Sequence, residues 1–321
     1  MAVFNLVIMF SQLEKSILRT LVYFDLANFP LTANEAWQFL YLQTISDFRI
    51  ILLALQDLKN KNIIGEKYGY YFFSGREDIV ETRRTQLVIS ELKLNKARLA
   101  AKFLRGIPFL KAVFVCNTVS AGTAKAESDI DFFIISSYNR VWLVRFFANL
   151  ILRLFGLRTY GDKLKDRICL SFFVDEHNMN LENLKALKDD IHFIYWIAQM
   201  MPIYDPQNFF KKFLSANYWI RKSLPNFNFS AQYLNLVPPN KLLSLWAKSW
   251  QIMWQGRYGD LINRQAKEWQ ILKMKLAVKE KAQLADNSVV INQSVIKLHE
   301  SDSRAKVSDI WQKKVSSLNL I

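Results

Sequence analysis

Cysteine is nearly absent from this chain. Its 321 residues include two, Cys116 and Cys169, so no disulfide framework braces it. Each lies in an apolar run that reads as a strand, where cysteine is expected to be a small buried hydrophobe. Histidine is scarce as well: His177, His192 and His299 lie far apart and none pairs with a cysteine at zinc spacing, which argues against a structural zinc site. The first ten residues are apolar but lack a basic leading segment and a small-residue cleavage pattern. They do not read as a signal peptide, and a cytoplasmic location is expected. Long hydrophobic runs are few. The one candidate span, Val141 to Leu157, is interrupted by Arg145, Asn149 and Arg153, which recur every four residues and form a polar stripe along one side of a helix. Two arginines in so short a span disfavour a transmembrane segment, so a buried helix with one wet edge is expected. No internal repeat or low-complexity tract is evident.

Apolar residues make up 51% and aromatics 14% of the chain, and charged residues 22%, the composition of a folded globular protein. The length allows two or three structural units with a real core. Forty-three Lys and Arg against 28 Asp and Glu give a formal charge of +15, a field that attracts nucleic acid, nucleotides, acidic protein or an anionic membrane. Between Glu91 and Lys165 there are thirteen basic and five acidic residues, so +8 of that charge falls on one segment. A basic surround suits a polyanion such as a nucleoside triphosphate.

Ser11-Gln-Leu-Glu14 and Thr32-Ala-Asn-Glu35 are capping boxes that open two helices, and Ser46 is placed to cap a third running from Asp47 to about Lys61. Ile63 to Lys67 and Tyr70 to Phe73 then alternate as a hairpin turning at Tyr68-Gly69. Three helices and a hairpin over residues 11–75 resemble a winged helix. Arg49, Lys59, Lys61 and Lys67 are its candidate contacts to DNA. The third helix is nonetheless continuously apolar from Ile50 to Leu55, so a helical module that packs on its neighbouring unit or on another protein is the favoured reading, with weak, sequence-independent nucleic-acid binding beside it. A connecting helix is expected over residues 78–105, ended by Gly106-Ile-Pro108. Beyond Met179 helices are expected from about Leu181, Pro206, Lys241 and Leu261, in a helical region reaching residue 321. Trp246, Trp250 and Trp254 share one helix face and read as core.

Ala112 to Cys116 reads as a strand entering the loop Asn117-Thr-Val-Ser-Ala-Gly122-Thr-Ala-Lys-Ala-Glu-Ser128. Asp129-Ile-Asp131-Phe-Phe-Ile-Ile135 follows as a second strand. Strand alternation sends Asp129 and Asp131 to one side, where two carboxylates can share Mg²⁺ or Mn²⁺ and so bind triphosphate oxygens. The order of strand, hydroxyl-bearing glycine loop and Ser-Asp-x-Asp strand resembles the DNA polymerase β-like nucleotidyltransferase superfamily, at Thr118, Gly122, Ser128, Asp129 and Asp131. That resemblance covers about a fifth of the chain and implies an α+β fold with a mixed-sheet core over residues 106–180. It implies a nucleotide site at Asn117, Thr118, Ser120, Gly122 and Ser128, with metal at Asp129 and Asp131. The implied activity is transfer of a nucleoside monophosphate from a nucleoside triphosphate to an unidentified acceptor. Asn117 stands where the family usually has glycine, and asparagine tolerates a left-handed backbone. The family's active members add a third carboxylate on a later strand. The matching strand here is Ile168 to Val174, where the only polar interior residue is Ser171; Asp175, with Glu176 after it, is the candidate substitute. The alternative is a catalytically degenerate member that binds nucleotide or a partner as a regulatory module. A DNA-binding regulator is the third reading.

Overall fold

A computed structural model describes residues 10–228, 235–274, 276–283, 287–298 and 304–320. The expected α+β architecture is present, and the chain divides into two units whose membership does not follow chain order. The first takes the described residues of Met1–Thr85, Ile220–Asn228 and Lys306–Ile321, and the second takes Gln86–Trp219 and Phe229–Ala305. The expected helical C-terminal region over 181–321 is therefore shared between the two units rather than standing apart. His299 lies outside the described residues, as do Met1 to Met9 of the apolar start.

In the first unit, helix α1 (Gln12–Asp25) and helix α2 (Ala33–Gln38) each open with the complete capping box that their sequences encode. Strand β1 (Leu31–Thr32) precedes α2, and helix α3 (Phe48–Asn60) follows it. Asp47, not Ser46, caps α3 by accepting from the Arg49 amide. Strands β2 (Ile64–Lys67) and β3 (Tyr70–Phe73) form the hairpin, and positive φ at both Tyr68 and Gly69 gives the turn the hand that matches strand twist. The sheet order is β1-β3-β2, antiparallel throughout. Buried Arg83 forks onto the Glu35 carboxylate at 2.7 and 2.8 Å and lies over the Phe29 ring.

Helix α4 (Asp78–Leu104) is the expected connecting helix, and the chain passes into the second unit along it. Strands β4 (Leu110–Cys116), β5 (Ile130–Ser136), β6 (Ile168–Asp175), β7 (Met201–Tyr204), β8 (Val289–Ile291) and β9 (Val295–Leu298) form one sheet of order β7-β4-β5-β6-β9-β8. Only β5 and β6 run parallel, joined by helix α6 (Val141–Leu154), so the sheet is mixed. One face packs Val113, Val115, Phe132 and Ile134 against apolar residues of α4 and α6. The opposite face carries rings: Phe114 and Phe133 meet Phe213 of helix α8 (Phe209–Ala216), and Phe133 and Phe172 meet Trp196 of helix α7 (Ile191–Ala198). On α6, Arg145 is buried and bonds Gln270 at 2.6 Å, while Arg153 is exposed, so the polar stripe is wet only at its end. Tyr204 and Asp205 are buried, and Asp205 accepts from the Phe209 and Phe210 amides at the head of α8. Helices α9 (Lys241–Met253), α10 (Gly256–Leu272) and α11 (Leu276–Lys281) complete the second unit, and α12 (Arg304–Ser317) from Lys306 onward belongs to the first.

Candidate functional site

The site forms at one end of the central strands, where β4 leaves the sheet and β5 and β6 enter it. Asp129 immediately precedes β5 and Asp131 is its second residue, so alternation sends both toward the face that carries Phe133. Cys169 registers directly across from Asp131, and one ligand atom from each of Asp129, Asp131 and Cys169 lies within 4.8 Å of the others. The pairing then slips: Asp131 faces Cys169 but Phe133 faces Phe172, so β6 holds one extra residue. Such a bulge re-aims side chains. Here Ser171 Oγ donates to Asp131 Oδ1 at 3.4 Å, and Phe172 joins Phe133 on the ring-bearing face.

Asn117 opens the one-turn helix α5 (Asn117–Ser120) with φ of 59°, a left-handed backbone that asparagine tolerates better than most residues. Its side chain accepts from the Trp196 indole at 2.6 Å and hydrogen-bonds Asp131, so it ties the ring-bearing face to the carboxylate pair. The other proposed nucleotide residues shape the loop. Gly122 has φ of 74°, Ser120 Oγ donates to the Asn117 carbonyl at 3.1 Å, and Ser128 Oγ accepts from the Lys125 amide at 3.0 Å. Thr118 is exposed.

Two cationic side chains that sequence reasoning did not select hold this arrangement. Buried Lys93 of α4 donates to the Ala126 carbonyl at 3.1 Å and the Ser128 carbonyl at 2.7 Å, and pairs with Asp166 at 2.7 Å. It thereby pins the strand entry that presents Asp129. Asp166 is a second anchor: burial opposes its charge, but hydrogen bonds from Lys93 and Lys96 outweigh that and hold its carboxyl below the usual range. Arg158 donates to Asn149 Oδ1 and to the Ile168 carbonyl, both at 2.9 Å, and acts by charge on Asp129 and Cys169. The only sequence signal for either was the basic excess of this segment.

No protein-family model, curated protein or solved structure matches this chain. The site's chemistry therefore rests on its own geometry. Burial, and then the neighbouring Asp129 charge, push the Asp131 carboxyl up to about 6, and burial raises Asp129 as well. Burial and the two carboxylates drive the Cys169 thiol upward, so it stays protonated beside them. Two facing carboxylates with excess negative charge fit a hard divalent cation that fills its remaining positions with water and phosphate oxygens. The thiol is a soft donor and adds little for Mg²⁺.

Asp175, expected as the third carboxylate, is not in this site. It ends β6 opposite Ser136, six residues and thus roughly 20 Å of strand beyond Cys169. There it is fully buried and accepts from the His177 amide at 3.0 Å, the Asn178 amide at 3.1 Å and the Asn178 side chain at 2.8 Å. Glu176 accepts from the Tyr138 amide and faces Lys111 at 3.7 Å. Both carboxylates build the turn after β6. Next to the Asp129 loop lies an open depression of about 340 Å³, lined by Glu127 and residues 162–165 with Arg167, and none of the candidate residues borders it.

Proposed function

We propose that this chain is a degenerate relative of the DNA polymerase β-like nucleotidyltransferases, a module that binds a divalent cation with a nucleoside triphosphate and does not transfer the nucleotide. The observation that carries this reading is Ser171 at 3.4 Å from Asp131, with Asp175 at the other end of the same strand. A hydroxyl is a poor proton acceptor at neutral pH and brings no charge for a second metal ion, so the acceptor is not activated. Asp129 and Asp131 hold the cation, which when bound draws in triphosphate oxygens. Asn117 and Gly122 shape the loop beside it, and Arg158 and Lys93 supply positive charge behind it. The mixed sheet with β5 and β6 side by side supports the family reading.

Order α1-β1-α2-α3-β2-β3 supports a winged-helix-like reading of the first unit. Three of its four candidate basic contacts are in ion pairs, Arg49 with Asp47, Lys59 with Glu66 and Lys61 with Glu14, while Lys67 lies over the Tyr68 ring. Exposed Ile50 and Leu53 on α3 favour a protein neighbour over duplex DNA.

The test is a thermal-shift assay paired with label transfer. Mg²⁺ or Mn²⁺ with a nucleoside triphosphate is expected to raise the unfolding temperature, by about 2.7 kcal/mol of stability at a hundredfold excess over Kd. Asp129→Ala with Asp131→Ala is expected to abolish most of that gain, and α-phosphate label is expected to remain on the triphosphate. An unchanged shift in the double variant overturns the site, and robust transfer overturns the degenerate reading.

A further inference from the structure

Helix α9 has two apolar faces, of which its own unit uses one. The inner face seats Leu243 against Gly106, buries Ala247, and joins Trp250 to Trp254, whose ring stacks on Phe147 of α6. The outer face carries Leu242, Leu245, Trp246, Ser249, Ile252 and Met253, spaced at i, i+3, i+4, i+7, i+10 and i+11. Five of these six are large apolar side chains, each more than half exposed, Leu242 at 78% and Leu245 at 63%. Scattered exposed leucines need no explanation, but a continuous stripe on one helix does. Trp246, read from sequence as core along with Trp250 and Trp254, belongs to this outer stripe.

We infer that this outer face lies on an anionic lipid bilayer surface. Lys241 and Lys248 border one edge of the stripe and α9 contains no acidic residue. From Lys241 to Lys281 the chain has nine basic and three acidic residues, a local excess of +6. That pairing of leucine and tryptophan with lysine is the composition of a helix lying in the headgroup boundary. At thirteen residues α9 is roughly 20 Å long, short of the ~30 Å needed to cross the hydrocarbon. Among the described residues no helix is long and apolar enough to cross a membrane. A second copy of the chain is the poorer occupant, because two-fold pairing of α9 brings lysine against lysine. Nucleic acid is poorer still: bases stack on aromatic rings, and four of the stripe's six positions are aliphatic or thioether side chains. The inference stands apart from nucleotide binding.

Cosedimentation of the full chain with phosphatidylcholine vesicles, with and without phosphatidylglycerol, tests it. Binding is expected with the anionic vesicles, weakened by salt and accompanied by a blue shift of tryptophan emission. Leu245→Ser with Ile252→Ser, and separately Lys241→Glu with Lys248→Glu, should each weaken it at least about tenfold. These side chains are exposed, so the unfolding temperature should hold, and a parallel melt checks that the loss is of binding. Failure to sediment with anionic vesicles overturns the inference, as does binding that ignores both pairs of substitutions. A dimer in analytical ultracentrifugation that the Leu245 and Ile252 pair dissociates also overturns it.

Discussion

Asp131 combines a buried position, 8% exposed, with a second carboxylate next to it, and neither the Ser171 hydroxyl nor Asn117 brings a positive charge. Its folded pKa of about 6 lies above the ordinary carboxylate value, so the folded chain holds this proton more tightly than the unfolded one. The resulting stabilisation is fully present below about pH 4 and is lost as pH rises through 6. Asp131→Asn removes the charge without changing the shape. In the absence of divalent cation the variant should therefore be more stable than the parent at pH 8, on the order of 2 kcal/mol, with the difference vanishing near pH 4. Urea unfolding across that range checks it, and a difference independent of pH would mean that Asp131 ionises freely. The Asp129 and Asp131 pair was legible in sequence because strand period alone sends both side chains one way. Cys169 was not: a lone cysteine in an apolar run reads as core, and only the cross-strand register brings it to the carboxylates.

The bulge in β6 decides which residue of that strand stands beside Asp131. Nothing in Ile168-Cys-Leu-Ser-Phe-Phe-Val174 marks it, since glycine and proline are absent and every residue suits a regular strand. For the same reason the sequence allowed Asp175 as a substitute, although pairing opposite Ser136 places it at the far end of the strand. Helix starts were legible to within a residue or two wherever a cap was encoded, as at Ser11 and Thr32, because capping is local chemistry. Ser171→Asp tests the assignment at the level of the strand. Without cation, a third carboxylate beside Asp131 should destabilise the fold, on the order of 3 kcal/mol. With Mn²⁺ and a nucleoside triphosphate that loss should be recovered, giving a larger cation-dependent thermal shift than the parent shows. A variant whose cation response equals the parent's would show that position 171 does not face the metal.

At the scale of the whole molecule, chain order and spatial order part company. Sequence reasoning divided the chain into successive segments because composition and breaker residues are local signals. The structure instead returns the C-terminal region to both units, with β8 and β9 extending the sheet beyond β6 and α12 packing with α1. Such returns rest on contacts between residues hundreds of positions apart, which no local pattern encodes. Trp311 is the clearest case: its indole donates to the Arg19 carbonyl at 3.0 Å, its ring meets Tyr41 edge-on at 5.3 Å, and nearby Lys314 pairs with Asp25 at 3.1 Å. Removing a buried indole leaves a cavity and takes away its hydrogen bond to α1 in the first unit. Trp311→Ala should therefore lower that unit's stability by about 3 kcal/mol. Native-state hydrogen exchange reads this out at a site remote in sequence, as lost protection of the Ile17 to Val22 amides in α1. Unaltered protection there would mean that α12 contributes nothing to holding the first unit together.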